Sequence, residues 1–248
     1  QNTHRAVGTR FSSHLVRRFG PGGLPEGHVT VQLKGSAGQS LGAFGVHGLK
    51  IVVFGDANDY VGKGLSGATI VVRPPARSPI ETRCNTIIGN TVLYGAIEGR
   101  LFAAGEAGER FAVRNSGADV VVEACGANGC EYMTGGTAVI LGPVGDNFAA
   151  GMTGGMAFVL DSAGDFDLHL NPDTVIAAPV RSAHWEAVLK SLIADHARET
   201  ESLHAQQILA QWEEMLPRFR QVAPKEMLER LEHPLDDNAD GAPVQSMA

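Results

Sequence analysis

The chain has little of what most function classes require. Aromatic residues make up 6% of its 248 positions, and cysteine occurs three times. No apolar run approaches the roughly eighteen residues of a membrane span, and the start lacks a leader-like pattern. A soluble, cytoplasmic protein is therefore expected. Cys84, Cys125 and Cys130 are an odd number with no C-x-x-C pair. That excludes a disulfide framework and the usual zinc spacings, and leaves too few ligands for a familiar iron–sulfur pattern. A basic excess is missing too. The formal net charge is −7, which argues against nucleic acid, whose affinity comes from neutralising phosphates. The acids gather at one end, where residues 161–248 hold sixteen against seven Lys or Arg, net −9, leaving +2 elsewhere. This end reads as a solvated helical surface. The first residue is Gln rather than Met, which suggests a processed chain or a piece of a longer one.

Catalytic patterns are equally scarce. Gly62-Lys63-Gly64-Leu65-Ser66-Gly67 matches G-x-G-x-x-G, with Glu81 nineteen residues after Gly62. The fingerprint needs a helix after its last glycine to hold a pyrophosphate, whereas Ala68-Thr69-Ile70-Val71-Val72 reads as a strand. Asp56-Ala57-Asn58-Asp59 resembles the start of a calcium loop, but Tyr60 and Gly67 stand at ligand positions, and turn capping explains the run better. Ser36, Ser40 and Ser66 lie in glycine-rich segments without a G-x-S-x-G elbow. His28 and His47 have no recognisable carboxylate partner in the sequence, and no catalytic constellation emerges.

What the chain does have is glycine, 31 residues of it, in register. Gly48, Gly67, Gly117, Gly136 and Gly155 are each followed three residues on by an apolar triplet, beginning at Ile51, Ile70, Val120, Val139 and Phe158. The steps 48→67, 117→136 and 136→155 are all nineteen residues. Met133-Thr134-Gly135-Gly136 recurs as Met152-Thr153-Gly154-Gly155. Looser copies begin at Gly27 and Gly99, giving about seven coils. One strand-like run and one glycine corner per fixed period define a β-solenoid, whose repeats bury their apolar runs only by stacking.

Appendages flank the coils. Val7, Phe11, Leu15 and Phe19 lie four apart, so residues 5–19 form a helix that covers the first coil and ends at Gly20-Pro21-Gly22-Gly23. Arg5, Arg10, Arg17 and Arg18 form its polar face, read first as a solvated surface, with contact to an acidic partner as the alternative. The 32-residue step from Gly67 to Gly99 is one coil plus an insertion of about thirteen residues around Arg73-Pro74-Pro75, expected to be a docking element or simple decoration. After Asp161 the period becomes helical. Trp185, Val188, Leu189, Leu192, Ile193 and His196 form one helix. Leu203, Ile208, Leu209, Trp212, Met215, Leu216 and Phe219 form another, with Ser202 as N-cap. These helices are expected on the far end of the solenoid or on a neighbouring protein. The divisions are thus an N-terminal capping helix and entry turn (1–26), a β-helix (27–161), a helical segment (162–233) and a disordered tail (234–248).

Several segments are specific enough to carry a family resemblance. They are Asn2 to Arg10, Gly35-Ser36-Ala37-Gly38-Gln39-Ser40, Gly55 to Gly67, Gly108 to Phe111 with Arg114 to Ala118, Gly129 to Gly136, and Asn147 to Met152. Together with Leu209 to Glu213 and Phe219 to Pro224, they resemble the carboxy-terminal domain of the glutamate synthase large (alpha) subunit. The resemblance implies a right-handed parallel β-helix with G-x-x-G-x-x-x-G coils. It also implies a structural role inside an enzyme that makes glutamate from glutamine and 2-oxoglutarate. In that family the glutaminase nucleophile, FMN and the iron–sulfur cluster belong to other regions, so no catalytic, cofactor or metal ligand is expected in this chain. The implied partners are the flavin-containing synthase and glutaminase domains and the small electron-donating subunit through them; self-association of the chain is a further expectation. A subunit of a related complex, such as a methylated-glutamate synthase or a formylmethanofuran dehydrogenase, is the alternative. His4 and Ala127-Asn128 depart from the expected pattern at positions of local contact.

Overall fold

A strand points successive side chains to opposite sides, so three apolar residues in a row belong to a strand covered on both faces. The computed structural model, which describes residues 2–75 and 77–237, shows what covers them. Seven strands stack in parallel: β1 (Val29–Lys34), β2 (Leu49–Phe54), β3 (Ser66–Arg73), β5 (Glu98–Ala107), β6 (Ser116–Cys125), β7 (Thr134–Ile140) and β8 (Gly154–Leu160), while the short β4 (Thr86–Ile88) pairs with β5. Each strand belongs to one coil, and the chain is a seven-coil β-solenoid. Two rows face its interior. One runs Val31, Ile51, Ile70, Leu101, Val120, Ala138, Ala157, and the other Leu33, Val53, Val72, Ala103, Val122, Ile140, Val159. The row between them, Val52, Val71, Phe102, Val121, Val139 and Phe158, points outward into a second apolar cluster.

That second cluster is built by the C-terminal helices. Helix α3 (Ala183–Thr200) lies across β3, β5, β6 and β7 and buries Leu189, Leu192, Ile193 and His196. It is joined by α4 (Leu203–Ala210) and by the single turn α5 (Trp212–Met215). The helices therefore strap the flank of the solenoid and do not cover its far end. Their placement follows from the outward Val and Phe row, since burying each such side chain is worth about 1.5–3 kcal/mol. Charge follows the same contact. Lys50 meets Glu199, Arg73 meets Glu201 and Arg100 meets Asp195. Part of the acidic surplus expected to face solvent is thus matched to basic residues of the strands.

The far end is closed by strands. Phe219, read from periodicity as the last residue of a helix, instead opens β10 (Phe219–Pro224). This strand pairs antiparallel with β8 on one side and with β9 (Val175–Pro179) on the other. The second expected helix is interrupted at Gln211, and a 3-10 turn at Leu216–Arg218 leads into β10. Ser202 is the N-cap of α4, its side chain accepting from the Ala205 amide at 3.1 Å. Another helical turn, α2 (Phe166–His169), follows β8.

At the near end, α1 spans Thr9–Phe19. Residues 5–8 are not helical, because Ala6 and Gly8 have φ of 52° and 99°. They run instead onto the first coil, where the Ala6 amide donates to the Gln39 carbonyl and the Val7 carbonyl accepts from the Gly42 amide. The expected tail begins at Pro234. Of it, Leu235 packs on the second cluster and Asp237 accepts from the Ala183 amide at 2.7 Å, while 238–248 lie outside the described residues.

The other two sides of each coil explain the glycines and more. On the second side, Ala37, Ala57, Ile88, Ala107, Cys125 and Val144 stack in parallel. On the third, three alternate residues per coil have left-handed φ: Tyr60, Gly62 and Gly64 in one coil, Arg110, Ala112 and Arg114 in another, Asn128, Cys130 and Tyr132 in a third. Their amides bond to neighbouring coils, as in Tyr60 to Asn90, Gly62 to Leu41 and Gly64 to Tyr94.

The glycine period and the strand register do not coincide at every step, and the step from β6 to β7 shows how they separate. Val120 pairs with Ala138, eighteen residues on, because the pairing shifts between Ser116 and Asp119. Val139, three residues after Gly136, consequently faces the helices and not the interior. Gly136 sits at this irregularity with φ 79°, and a Cβ there would run into the Ala118 carbonyl. Gly136→Val should therefore lower the thermal midpoint sharply, since backbone strain alone costs on the order of 1–3 kcal/mol. Gly22→Val, at an open position, should melt within a few degrees of wild type; equal melting of the two variants would refute this register.

Candidate functional site

The densest polar chemistry lies where the insertion meets the junction of α3 and α4. The chain leaves β3 through Pro74 and Pro75, makes a 3-10 turn at Thr82–Cys84 and rejoins the solenoid at β4. A cavity of about 500 Å³ opens between this loop and the helices, lined by Arg73, Thr82, Arg83, Glu201 and His204 among others. A second, of about 370 Å³, lies behind Arg83 and Cys84 and reaches Glu123.

Beneath them Glu123, His196 and Ser202 are all buried. Ser202 Oγ donates to Glu123 Oε1 at 2.5 Å, and His196 Nε2 stands 3.8 Å from the same oxygen. Burial pushes the Glu123 carboxyl up, but His196, Ser202 and Thr82 outweigh it and hold the acid below the ordinary range. Burial holds His196 below its usual value despite Glu123, so it is neutral near pH 7. The composition is that of a nucleophile, base and acid, but the connectivity is not. In such a triad the serine donates to the imidazole. Here the serine donates to the carboxylate, accepts from its own helix and is sealed from solvent, so the cluster fastens α4 to β6 and offers no nucleophile. Sequence periodicity placed His196 on the apolar face of α3, but its partner lies 73 positions earlier and carried no local signal.

The remaining candidates stand apart from one another. Arg5, Arg10, Arg17 and Arg18 are exposed, and none forms an ion pair among the described residues. Arg10, Arg17 and Arg18 are on α1, and Arg5 precedes it. Gly62 and Gly64 belong to the left-handed row, and the fingerprint runs into β3, where no helix N-terminus could receive a pyrophosphate. Gly27, Gly48, Gly67, Gly99 and Gly155 have positive φ, as Gly136 does. Gly117 does not, but a Cβ on it would meet the Ile97 carbonyl. Gly67 is also covered by the His47 ring, which reaches across it to Glu98 at 3.0 Å. The partner missing from the sequence around His47 is thus supplied 51 residues later.

The cysteines do not fit a metal or a cluster. Cys84 is exposed on the insertion, whereas Cys125 and Cys130 are buried in the solenoid core. Burial pushes the Cys125 thiol to about 12 and raises Cys130 further from the thiolate that a metal needs. Among the described residues no group of three His, Cys, Asp or Glu side chains could hold a metal ion, and no helix is long and apolar enough to cross a membrane.

The family model described as the GXGXG motif matches residues 1–225. The chain belongs to the GXGXG-motif family. Members similar to it include a glutamate synthase [NADPH] large chain from Azospirillum brasilense, 64% identical over 95% of this chain and 16% of that protein. A ferredoxin-dependent glutamate synthase from Pyropia yezoensis is 50% identical over 90% of this chain and 14% of its own length. A glutamate synthase [NADPH] large chain from Bacillus subtilis is 43% identical over 90% and 15%. This GXGXG segment spans about one-sixth or less of those relatives, and it matches their carboxy-terminal portion.

The Glu123–His196 pair sets a pH response for the GXGXG segment. His196 has a folded pKa below its unfolded one, so its contribution is complete above about 6.5 and is lost as pH falls below that value. Glu123 adds a second loss only below about 4.5, its unfolded value. Urea midpoints measured from pH 8 to 5 should fall on the acid side, and His196→Met should flatten that limb. A limb that persists unchanged in the variant would assign it to other groups.

Proposed function

We propose that the chain is the non-catalytic scaffold of a glutamate synthase, holding in place the regions that form glutamate from glutamine and 2-oxoglutarate. The observation that carries this reading is where its long-range side-chain pairs lie. Glu123, Ser202, Arg73, Glu201, Lys50 and Glu199 all serve to fasten helices to coils. Around them lie two apolar clusters, and among the described residues no group of three His, Cys, Asp or Glu side chains could hold a metal ion. The relatives add a second support. Enzymes named for NADPH and for ferredoxin match the segment over nine-tenths or more of its length, as expected of a part whose role is independent of the electron donor. FMN, the iron–sulfur cluster and the glutaminase nucleophile then lie in the remainder of the large chain, with the small electron-donating subunit reached through it. The relatives are glutamate synthases, which favours this reading over a subunit of a methylated-glutamate synthase or a formylmethanofuran dehydrogenase. A cytoplasmic location accords with it.

The scaffold's contacts are assigned to the arginine face of α1, the insertion from Arg73 to Cys84 and the helices between Trp185 and Phe219. Interdomain contacts of this kind bury roughly 600–1,500 Å². The purified chain should show no flavin absorbance near roughly 450 nm and should co-sediment with a large-chain fragment lacking this segment. Reversing the charge of Arg17 and Arg18 should weaken that association while leaving the melting curve in place. Stoichiometric flavin bound to the chain alone, or failure of the wild-type chain to co-sediment, would overturn the proposal.

A further inference from the structure

The two ends of the solenoid are finished differently. At the far end the edge of β8 is paired by β10, which is paired in turn by β9. At the near end β1 terminates the sheet, and no strand pairs its outer side among the described residues. In a parallel ladder alternate residues direct both backbone groups to the same neighbour. The Val29 amide donates to the Gly48 carbonyl and the Gly35 amide to the Phe54 carbonyl, which fixes the alternation. The odd-numbered residues of β1 face β2, and Thr30, Gln32 and Lys34 direct three N–H and three C=O groups outward.

This edge has almost none of the devices that keep exposed strands from pairing. It is six residues long, without proline, and its pairing with β2 is unbroken from Val29 to Lys34. Lys34 is its one charge. Its inward residues Val31 and Leu33 are only half-buried, whereas Ile51 and Val53 beside them are at most 1% exposed. Helix α1 and the residues before it cover the third side of the first coil, through Val7 to Gly42 and Thr9 to Ala43, and no strand lies on the outer edge of β1 among the described residues.

We propose that an extended segment of the large chain, from the part outside these residues, adds to the outer edge of β1 as a further strand. Its alternate apolar side chains would complete the cover over Val31 and Leu33. The inference rests on the reading of this chain as a glutamate synthase segment. The relatives carry the matched region as 14–16% of their length, so most of the large chain is available as a tethered source, and tethering supplies a high effective concentration. A second copy fits less well, because two six-residue edges bury far less than the roughly 1,200 Å² of a stable interface. The outward side chains Gln32 and Lys34 of the same strand border a groove of about 800 Å³ that runs over Phe54 to Pro74 and Ile80.

Residue-resolved hydrogen exchange tests this. In the isolated chain the amides of Thr30, Gln32 and Lys34 should exchange at near-unprotected rates while those of Val31 and Leu33 are slow. In a full-length large chain carrying this segment the same three should slow by about 100-fold or more. Fast exchange in the full-length protein would overturn the proposal. So would protection in the isolated chain, assigning the edge to a second copy if it rises with concentration and to an internal partner if it does not. Gln32→Pro removes one outward donor without touching the β2 ladder. It should weaken co-sedimentation with the rest of the large chain about tenfold. Undiminished capture of a folded Gln32→Pro chain would discard the added strand and leave the scaffold reading intact.

Discussion

Every coil of this protein depends on its neighbours for the hydrogen bonds of its own backbone. A helix satisfies its amides internally, but a coil of about nineteen residues cannot. The Cys130 amide donates back to the Phe111 carbonyl, and the Ala149 amide to Gly129 in the next coil along. An unpaired buried amide or carbonyl costs about 1–3 kcal/mol, so no coil is stable alone. The remaining architecture follows from that dependence. Side chains of like shape stack in rows, polar ones included: the Asn147 amide donates to Asn128 Oδ1, and Asn171 donates to Asn147. Both ends of such a stack need something other than another coil.

The third side of the solenoid shows how far the same constraint reaches. Left-handed backbone is costly for residues with a Cβ, yet Tyr60, Thr91, Leu93, Arg110, Cys130 and Ala149 all adopt it. Each such residue turns its amide toward an adjacent coil, and the bonds gained offset the strain. Glycine at Gly62, Gly64 and Gly151 relieves part of it and has a second use. The Phe44 ring lies against Gly64 and the Tyr132 ring against Gly151, so the missing side chains make seats for aromatic ones.

The glycine spacing and the apolar triplets made the coils legible in the sequence, because both are local and recur. Ser202 was legible as a cap for the same reason, the relevant amide being three residues away. What escaped was settled between distant segments. Phe219 continued the helical period of Trp212 and Met215, and the pairing with Leu160 that makes it a strand residue leaves no trace at that spacing. The triplets gave their own clue to the helices on the flank, since a strand with one buried face would have alternated. The slip at Gly136 was hidden because the glycines kept a step of nineteen while the strand pairing moved by one. For the polar cluster, composition brought neither Glu123 nor Ser202 to His196; only the fold does.

Helix α3 changes how the stack holds together. A solenoid without it would behave as a row of units, each linked only to the next, and could come apart anywhere. Laid across β3, β5, β6 and β7, with Lys50 of β2 tied to Glu199, α3 crosslinks most of the coils into a block that must open as one. The coil containing β1 lies beyond its reach. Under load or heat the isolated chain is therefore expected to open first at β1, with the block crossed by α3 opening after it.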